Sequence, residues 1–161
     1  RRFAVLGAGG AARAAVFGLL QAGGIPVVLN RTAQKAEALA AAFGCDFRPL
    51  AEAAGVEADC LINTTPVGMA PGVERSPLTG NVLGRFRWVV DIVYTPLQTR
   101  LLREAAAAGC RTRSGLGMFI HQGAEQLRIW TGRTPPVDLM RRVVEARLIE
   151  PAEGGGEGRT R

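Results

Sequence analysis

Gly7-Ala8-Gly9-Gly10-Ala11-Ala12 is the first stretch of the chain whose residue types and spacing could do chemistry, because small residues let backbone close on a diphosphate. It follows the apolar run Phe3 to Leu6 and opens an alanine-rich stretch from Gly10 to Gln21, so it falls where a strand turns into a helix. Gly7 permits the tight turn, Gly9 lets backbone approach a pyrophosphate, and Ala12 allows helix and strand to pack closely. Amides without helical acceptors, and the positive end of the helix dipole, then face the phosphates. A glycine string alone is weak evidence; its place between strand and helix carries the reading. The plainer alternative is a tight turn that binds nothing.

The end of the second strand selects the nucleotide. An NAD site places Asp or Glu some twenty residues after the glycines, to accept hydrogen bonds from the adenosine ribose. This sequence has Asn30-Arg31-Thr32, followed by Lys35. A carboxylate there would repel a 2′-phosphate, whereas guanidinium and hydroxyl groups bind one, and Lys35 adds a point charge about one helical turn on. The sequence therefore favours NADP over NAD. Thr32 also suits a helix cap, and Arg31 a solvated surface role; the cap uses a single oxygen, so the roles coexist. The missing acid argues equally against an S-adenosylmethionine methyltransferase.

These residues need a frame. Phe3 to Leu6 and Ile25 to Leu29 read as buried strands, Gly10 to Gln21 as a helix, and Thr32 as the N-cap of a second helix reaching about Phe43, with Gly44 just past its end. Asp46-Phe47, a short helix near Leu50 to Ala54, and strands at Cys60 to Asn63, Trp88 to Ile92 and Cys110 to Arg113 continue the alternation, with a helix over Leu97 to Ala108. Such alternation predicts an α/β fold with a doubly wound, mostly parallel sheet and helices on both faces. After Gly115 two helices follow without a strand between them, Leu116 to Trp130 and Val137 to Ile149, broken apart at Gly132 to Pro136. The expected organisation is one domain over residues 1–149, terminal helices 116–149 included, and a frayed polar tail at 150–161.

Composition narrows the function classes. The 161 residues carry a formal charge of +6, but the basic residues are scattered and aromatics are only 6%, which disfavours nucleic acid as a partner. Cys45, Cys60 and Cys110 are odd in number and widely spaced, so neither a disulfide framework nor a metal site is expected. No apolar run approaches the roughly 20 residues of a membrane span, and the expectation is a cytoplasmic protein with no membrane partner. The sequence is compatible with a monomer or a homodimer.

Three further blocks resemble the shikimate dehydrogenase family. Leu61-Ile62-Asn63-Thr64-Thr65-Pro66-Val67-Gly68-Met69 is similar to that family's INTTPVGM segment. Asp91-Ile92-Val93-Tyr94-Thr95-Pro96-Leu97-Gln98-Thr99 is similar to its D-x-x-Y-x-P-x-x-T stretch. Gly115-Leu116-Gly117-Met118, through Gln122 to Trp130-Thr131-Gly132, resembles its GLGM…Q…WTG segment. With the glycine corner and Asn30-Arg31-Thr32, five blocks stand in family order over about residues 3–145. The resemblance implies a Rossmann domain of an enzyme reducing 3-dehydroshikimate to shikimate with NADPH in aromatic amino-acid biosynthesis. It implies that Gly7, Ala8, Gly9, Gly10 and Ala11 hold the pyrophosphate, and that Asn30, Arg31, Thr32 and Lys35 surround the 2′-phosphate. Ile92, Gly115 and Met118 would lie beside the nicotinamide, while Tyr94 and Gln122 would hydrogen-bond the substrate.

Each residue also has a plainer role. Met118 suits core packing, Tyr94 an interface aromatic, Gln122 a solvated helix face, and Asn63 a tie for loop backbone. His121, the single histidine, reads as an exposed helical residue. Reduction of a ketone needs a proton donor. The resemblance assigns that work to a lysine paired with an aspartate in a preceding substrate domain, absent from this chain, so no catalytic residue is expected here. The single lysine, Lys35, belongs to the adenosine end, and Gln98 stands four residues after Tyr94, so no Tyr-x-x-x-Lys arrangement exists. The alternatives are a quinate/shikimate paralogue that uses NAD and a non-catalytic dinucleotide-binding regulatory module. Methylene-tetrahydrofolate dehydrogenase and glutamyl-tRNA reductase domains share the glycine turn but not the blocks at 63–69 and 91–99.

Overall fold

The structure is a computed structural model and describes residues 1–149; the stretch 150–161, expected as a frayed tail, lies outside the described residues. Six strands, β1 (Arg2–Leu6), β2 (Ile25–Asn30), β3 (Asp46–Pro49), β4 (Cys60–Asn63), β5 (Trp88–Asp91) and β6 (Arg111–Arg113), form one sheet in the order β3-β2-β1-β4-β5-β6. Every pairing is parallel. The order reverses between β1 and β4, which opens a crevice at the carboxyl ends of those strands.

Side-chain alternation explains how both faces are buried. Ala4 and Leu6 of β1 point into one core with Leu29, Leu61, Val89, Leu101 and Leu102, while Val5 points into the other with Val16, Val28, Ala36 and Leu39. Helices α1 (Gly10–Gln21) and α2 (Ala33–Phe43) supply the second core. The first is covered by a 3₁₀ segment, Leu50–Gly55, by α3 (Gly80–Leu83) and by α4 (Arg100–Ala107). Each large apolar side chain so buried contributes about 1.5–3 kcal/mol relative to exposure.

One helix boundary and one short helix depart from the sequence expectation for identifiable reasons. The helix expected from Leu97 starts at Arg100, because the Thr99 hydroxyl accepts from the Leu102 amide and caps it there. The four-residue α3 was not anticipated; it is too short to show a helical period.

The chain forms two compact units, Arg1–Leu116 and a second from Gly117 on. The second is built from α5 (Leu116–Thr131) and α6 (Val137–Ile149). Gly132 at φ +67° ends α5, its amide bonded to the Arg128 carbonyl at 2.8 Å. The two helices adjoin at Gly123, where an added Cβ would lie in ordinary contact, 3.4 Å from the Met140 methyl.

Candidate functional site

The glycine corner is built as its sequence requires. Gly7 has φ +110°, and a Cβ on it would stand 2.7 Å from the Thr64 hydroxyl. Its amide bonds the Leu29 carbonyl at 2.8 Å, while Thr64 ties to the Leu6 carbonyl through both its amide (2.9 Å) and its hydroxyl (2.5 Å), so β1, β2 and β4 end together. Gly9 is the N-cap of α1 and has no side chain to cap with; the first helical bond runs from Arg13 N to Gly9 O at 3.0 Å. The amides of Gly10, Ala11 and Ala12 are therefore left without helical acceptors. Gly9, Gly10 and Ala11 are exposed, Ala8 is half-buried, and Ala12 is buried against the sheet. No acidic residue occupies the first turn. The corner thus presents donors and a positive dipole end to anything anionic above it.

At the end of β2, the Asn30 side-chain amide donates to the Thr32 carbonyl at 2.9 Å and fixes the turn into α2. Thr32 occupies the N-cap position, but its side chain makes no capping bond, so its hydroxyl is not used as a cap. Arg31, Thr32 and Lys35 are all exposed. Among the described residues neither Arg31 nor Lys35 is ion-paired. Gly7, Asn30 and Arg31 line one cavity of about 470 Å³ at the carboxyl ends of the strands, together with Thr65, Pro66 and Arg75. Its remaining wall is largely apolar, as a pocket for a base and sugar would be. Thr65 and Pro66 belong to a block already singled out by resemblance, though with no role attached. Arg75 stands in a stretch with no motif and was not singled out.

A buried polar network holds the loops around this crevice. Asp91 is fully buried at the end of β5 and accepts from Asn63 Nδ2 (2.9 Å), the Val93 amide (3.0 Å) and the Thr99 hydroxyl (2.7 Å). Burial raises its carboxyl above the ordinary range, and the three donors pull in the opposite direction. Asn63 Oδ1 in turn accepts from the Thr65 amide (3.0 Å) and hydroxyl (2.7 Å). Asn63 thus ties loop backbone together, the role expected from its place at the end of the apolar strand β4. What sequence reasoning missed is that Asp91 and Thr99, the fixed ends of one motif, share this network with it.

Ile92 and Gly115, assigned to one locality by resemblance, do meet. Gly115 is buried, its amide bonds the Val93 carbonyl at 3.1 Å, and an added Cβ would lie 1.8 Å from the Ile92 carbonyl oxygen. Tyr94 is half-buried two residues on from Ile92. Met118 and Gln122 both lie exposed on α5, as does His121. Cys60 is inert: burial first, and the Asp59 charge second, push its thiol up to about 11. Among the described residues no His/Cys/Asp/Glu group could hold a metal ion, and no helix is long and apolar enough to cross a membrane.

Comparison with known proteins agrees with this geometry. Residues 115–145 match the model of the shikimate 5′-dehydrogenase C-terminal domain, and residues 2–92 match that of the coenzyme F420-dependent NADP oxidoreductases. The chain is 49% identical over 145 residues to the shikimate dehydrogenase (NADP(+)) of Methanocella arvoryzae, an alignment covering 86% of this chain and 53% of that protein. The crystal structure of shikimate 5-dehydrogenase from Thermus thermophilus in complex with NADP(H) and shikimate superposes with a TM-score of 0.82 at 43% identity, covering 89% of this chain and 54% of that one. Quinate dehydrogenase from Corynebacterium glutamicum in complex with NAD gives 0.80 at 31% identity, covering 90% and 55%. The chain spans about half the length of the curated relatives it matches.

Proposed function

The chain belongs to the shikimate dehydrogenase family, and from that premise we propose that it supplies the NADP(H)-binding half of an enzyme that reversibly reduces 3-dehydroshikimate to shikimate in aromatic amino-acid biosynthesis. One observation carries the nucleotide assignment. Arg31, in no ion pair among the described residues, lines the same cavity as the glycine corner, beside a Thr32 hydroxyl that does not cap its helix. No acid stands at the end of β2 to receive an unphosphorylated ribose, which weighs against the NAD-using quinate alternative.

The residues divide the work. Amides of Gly7 to Ala11 receive the pyrophosphate; Asn30, Arg31, Thr32 and Lys35 surround the 2′-phosphate. Ile92, Gly115 and Met118 flank the nicotinamide, and Tyr94 and Gln122 hydrogen-bond the substrate's carboxylate or hydroxyls. Bound NADPH supplies a hydride to the keto carbon. The presence of both Tyr94 and Gln122 favours an enzyme over a regulatory nucleotide-binding module. The proton for the developing alkoxide comes from a lysine–aspartate pair in the substrate domain, outside these 161 residues.

Titration of the purified chain with NADP and NAD side by side, then with shikimate added, tests this reading. NADP binds more tightly, and Arg31→Ala weakens it by about 10- to 100-fold, the equivalent of about 1.5–3 kcal/mol for a charge-assisted contact, while NAD changes little. Equal loss for both nucleotides would remove the assignment of Arg31.

A further inference from the structure

We propose that Arg75 is a second anion-binding arginine of the nucleotide crevice, and that Arg31 and Arg75 together set the preference for a phosphorylated ribose. This deepens the NADP reading above and rests on it. Both residues line the same cavity, none of whose lining residues is acidic. Two arginines in one lining, with no acidic residue among the others that line it, attract an anion more strongly than either does alone. Among the described residues no ion pair involves Arg75. The backbone carbonyl of its neighbour Glu74 accepts from Arg100 Nη1 at 2.8 Å.

The loop that carries Arg75 is held in place. The Ala70 amide bonds the Thr95 carbonyl at 3.1 Å, and the Ser76 hydroxyl donates to the Leu78 carbonyl at 2.6 Å. Gly68 has φ +94°, and a Cβ there would press within 3.1 Å of the Arg75 carbonyl, so the loop sits directly on the segment following β4. Gly72 gives the Arg75 stem a bare track: an added Cβ would lie 3.3 Å from Arg75 Cδ. A second cavity of about 440 Å³ is walled by Arg31, Leu50, Ser76 and Pro77, four residues that also line the first. The loop bearing Arg75 therefore adjoins the Arg31 end of the crevice. That is the adenosine end, where the ribose phosphate would lie.

Arg75 is exposed, so its replacement leaves the core untouched. The test measures NADP, NAD, adenosine 2′,5′-bisphosphate and adenosine 5′-monophosphate binding to the 161-residue chain, to Arg75→Ala, to Arg75→Lys and to Gly72→Val. Arg75→Ala weakens NADP and the bisphosphate about tenfold and leaves NAD and the monophosphate within about twofold. Arg75→Lys recovers part of the loss, and Gly72→Val, which displaces the stem, mimics Arg75→Ala. Equal weakening of all four ligands means stacking on the base and overturns the proposal, as does unchanged NADP affinity while Arg31→Ala still abolishes the preference. If the unaltered chain shows no preference for NADP, the underlying nucleotide reading fails as well.

Discussion

Asp91, wholly buried, receives three donors, from Asn63 on β4 and from Val93 and Thr99 in its own following loop, and that arrangement decides how its charge behaves. Desolvation is the larger influence and raises its pKa, so in the carboxyl range the folded state holds a proton that the unfolded state has released. The group's contribution to stability is greatest below the ordinary carboxyl value and declines as pH rises through the raised one. The Thr99 hydroxyl opposes this by bonding the ionised form at 2.7 Å. Thr99→Val deletes that bond and also the cap on Leu102 at the start of α4. Loss of the cap costs about 1 kcal/mol at any pH. Loss of the bond to a buried carboxylate costs about 1.5–3 kcal/mol more, and only where Asp91 is ionised. Urea unfolding at pH 4 and pH 7 should show the larger deficit at pH 7; an equal deficit at both would mean that Asp91 is not stabilised as an anion by Thr99. Thr99→Ser keeps the hydroxyl and should lose far less.

At the level of elements, two glycines two residues apart have opposite meanings. Gly115 closes the turn between β6 and α5 with its Cα face against the Ile92 carbonyl, and a methyl group there would overlap backbone at 1.8 Å. Neither backbone has a flexible end to move, so Gly115→Ala should cost several kcal/mol and lower the thermal midpoint sharply. Gly117, inside α5, meets open space. Gly117→Ala should gain about 0.5–1 kcal/mol from helix propensity. Differential scanning calorimetry of the two variants separates them, and similar midpoints would show that the close approach at Gly115 is relieved at little cost. The sequence shows both as glycine, which marks the limit of what is legible in it. The glycine corner, the β1 and β2 pattern and the alternation that builds the sheet were readable because they are local and periodic. Gly10–Gln21 and Cys60–Asn63 appear with the bounds expected of them. The loop 68–79 was opaque: its contacts run to Thr95, Thr99 and Arg100, some twenty to thirty residues away, so nothing local announces that Arg75 reaches the crevice.

For the molecule as a whole, the chemistry available is set by which titratable groups these 161 residues contain. Reduction of a ketone requires both an oriented hydride donor and a proton source within hydrogen-bond reach. In the site proposed above, the corner, the Arg31 turn and the Ile92–Gly115 contact would answer the first demand. For the second, the chain offers one lysine and one histidine. Lys35 lies on α2 beside the Arg31 turn, at the adenosine end of the proposed site, and His121 is exposed on α5. Tyr94 has Gln98, not lysine, four residues on, so the chain has no Tyr-x-x-x-Lys arrangement there. A polypeptide of these 161 residues should therefore bind NADP(H) and oxidise shikimate at a rate indistinguishable from a blank, because general acid–base help alone is worth about 100- to 10,000-fold. Saturating shikimate and NADP with the purified chain, followed at the absorbance of NADPH, measures it. Turnover that survives Tyr94→Phe and His121→Ala together would place the proton source in some group other than that phenol and that imidazole, and turnover that vanishes with Tyr94→Phe alone would make the phenol the donor and remove the need for a lysine–aspartate pair.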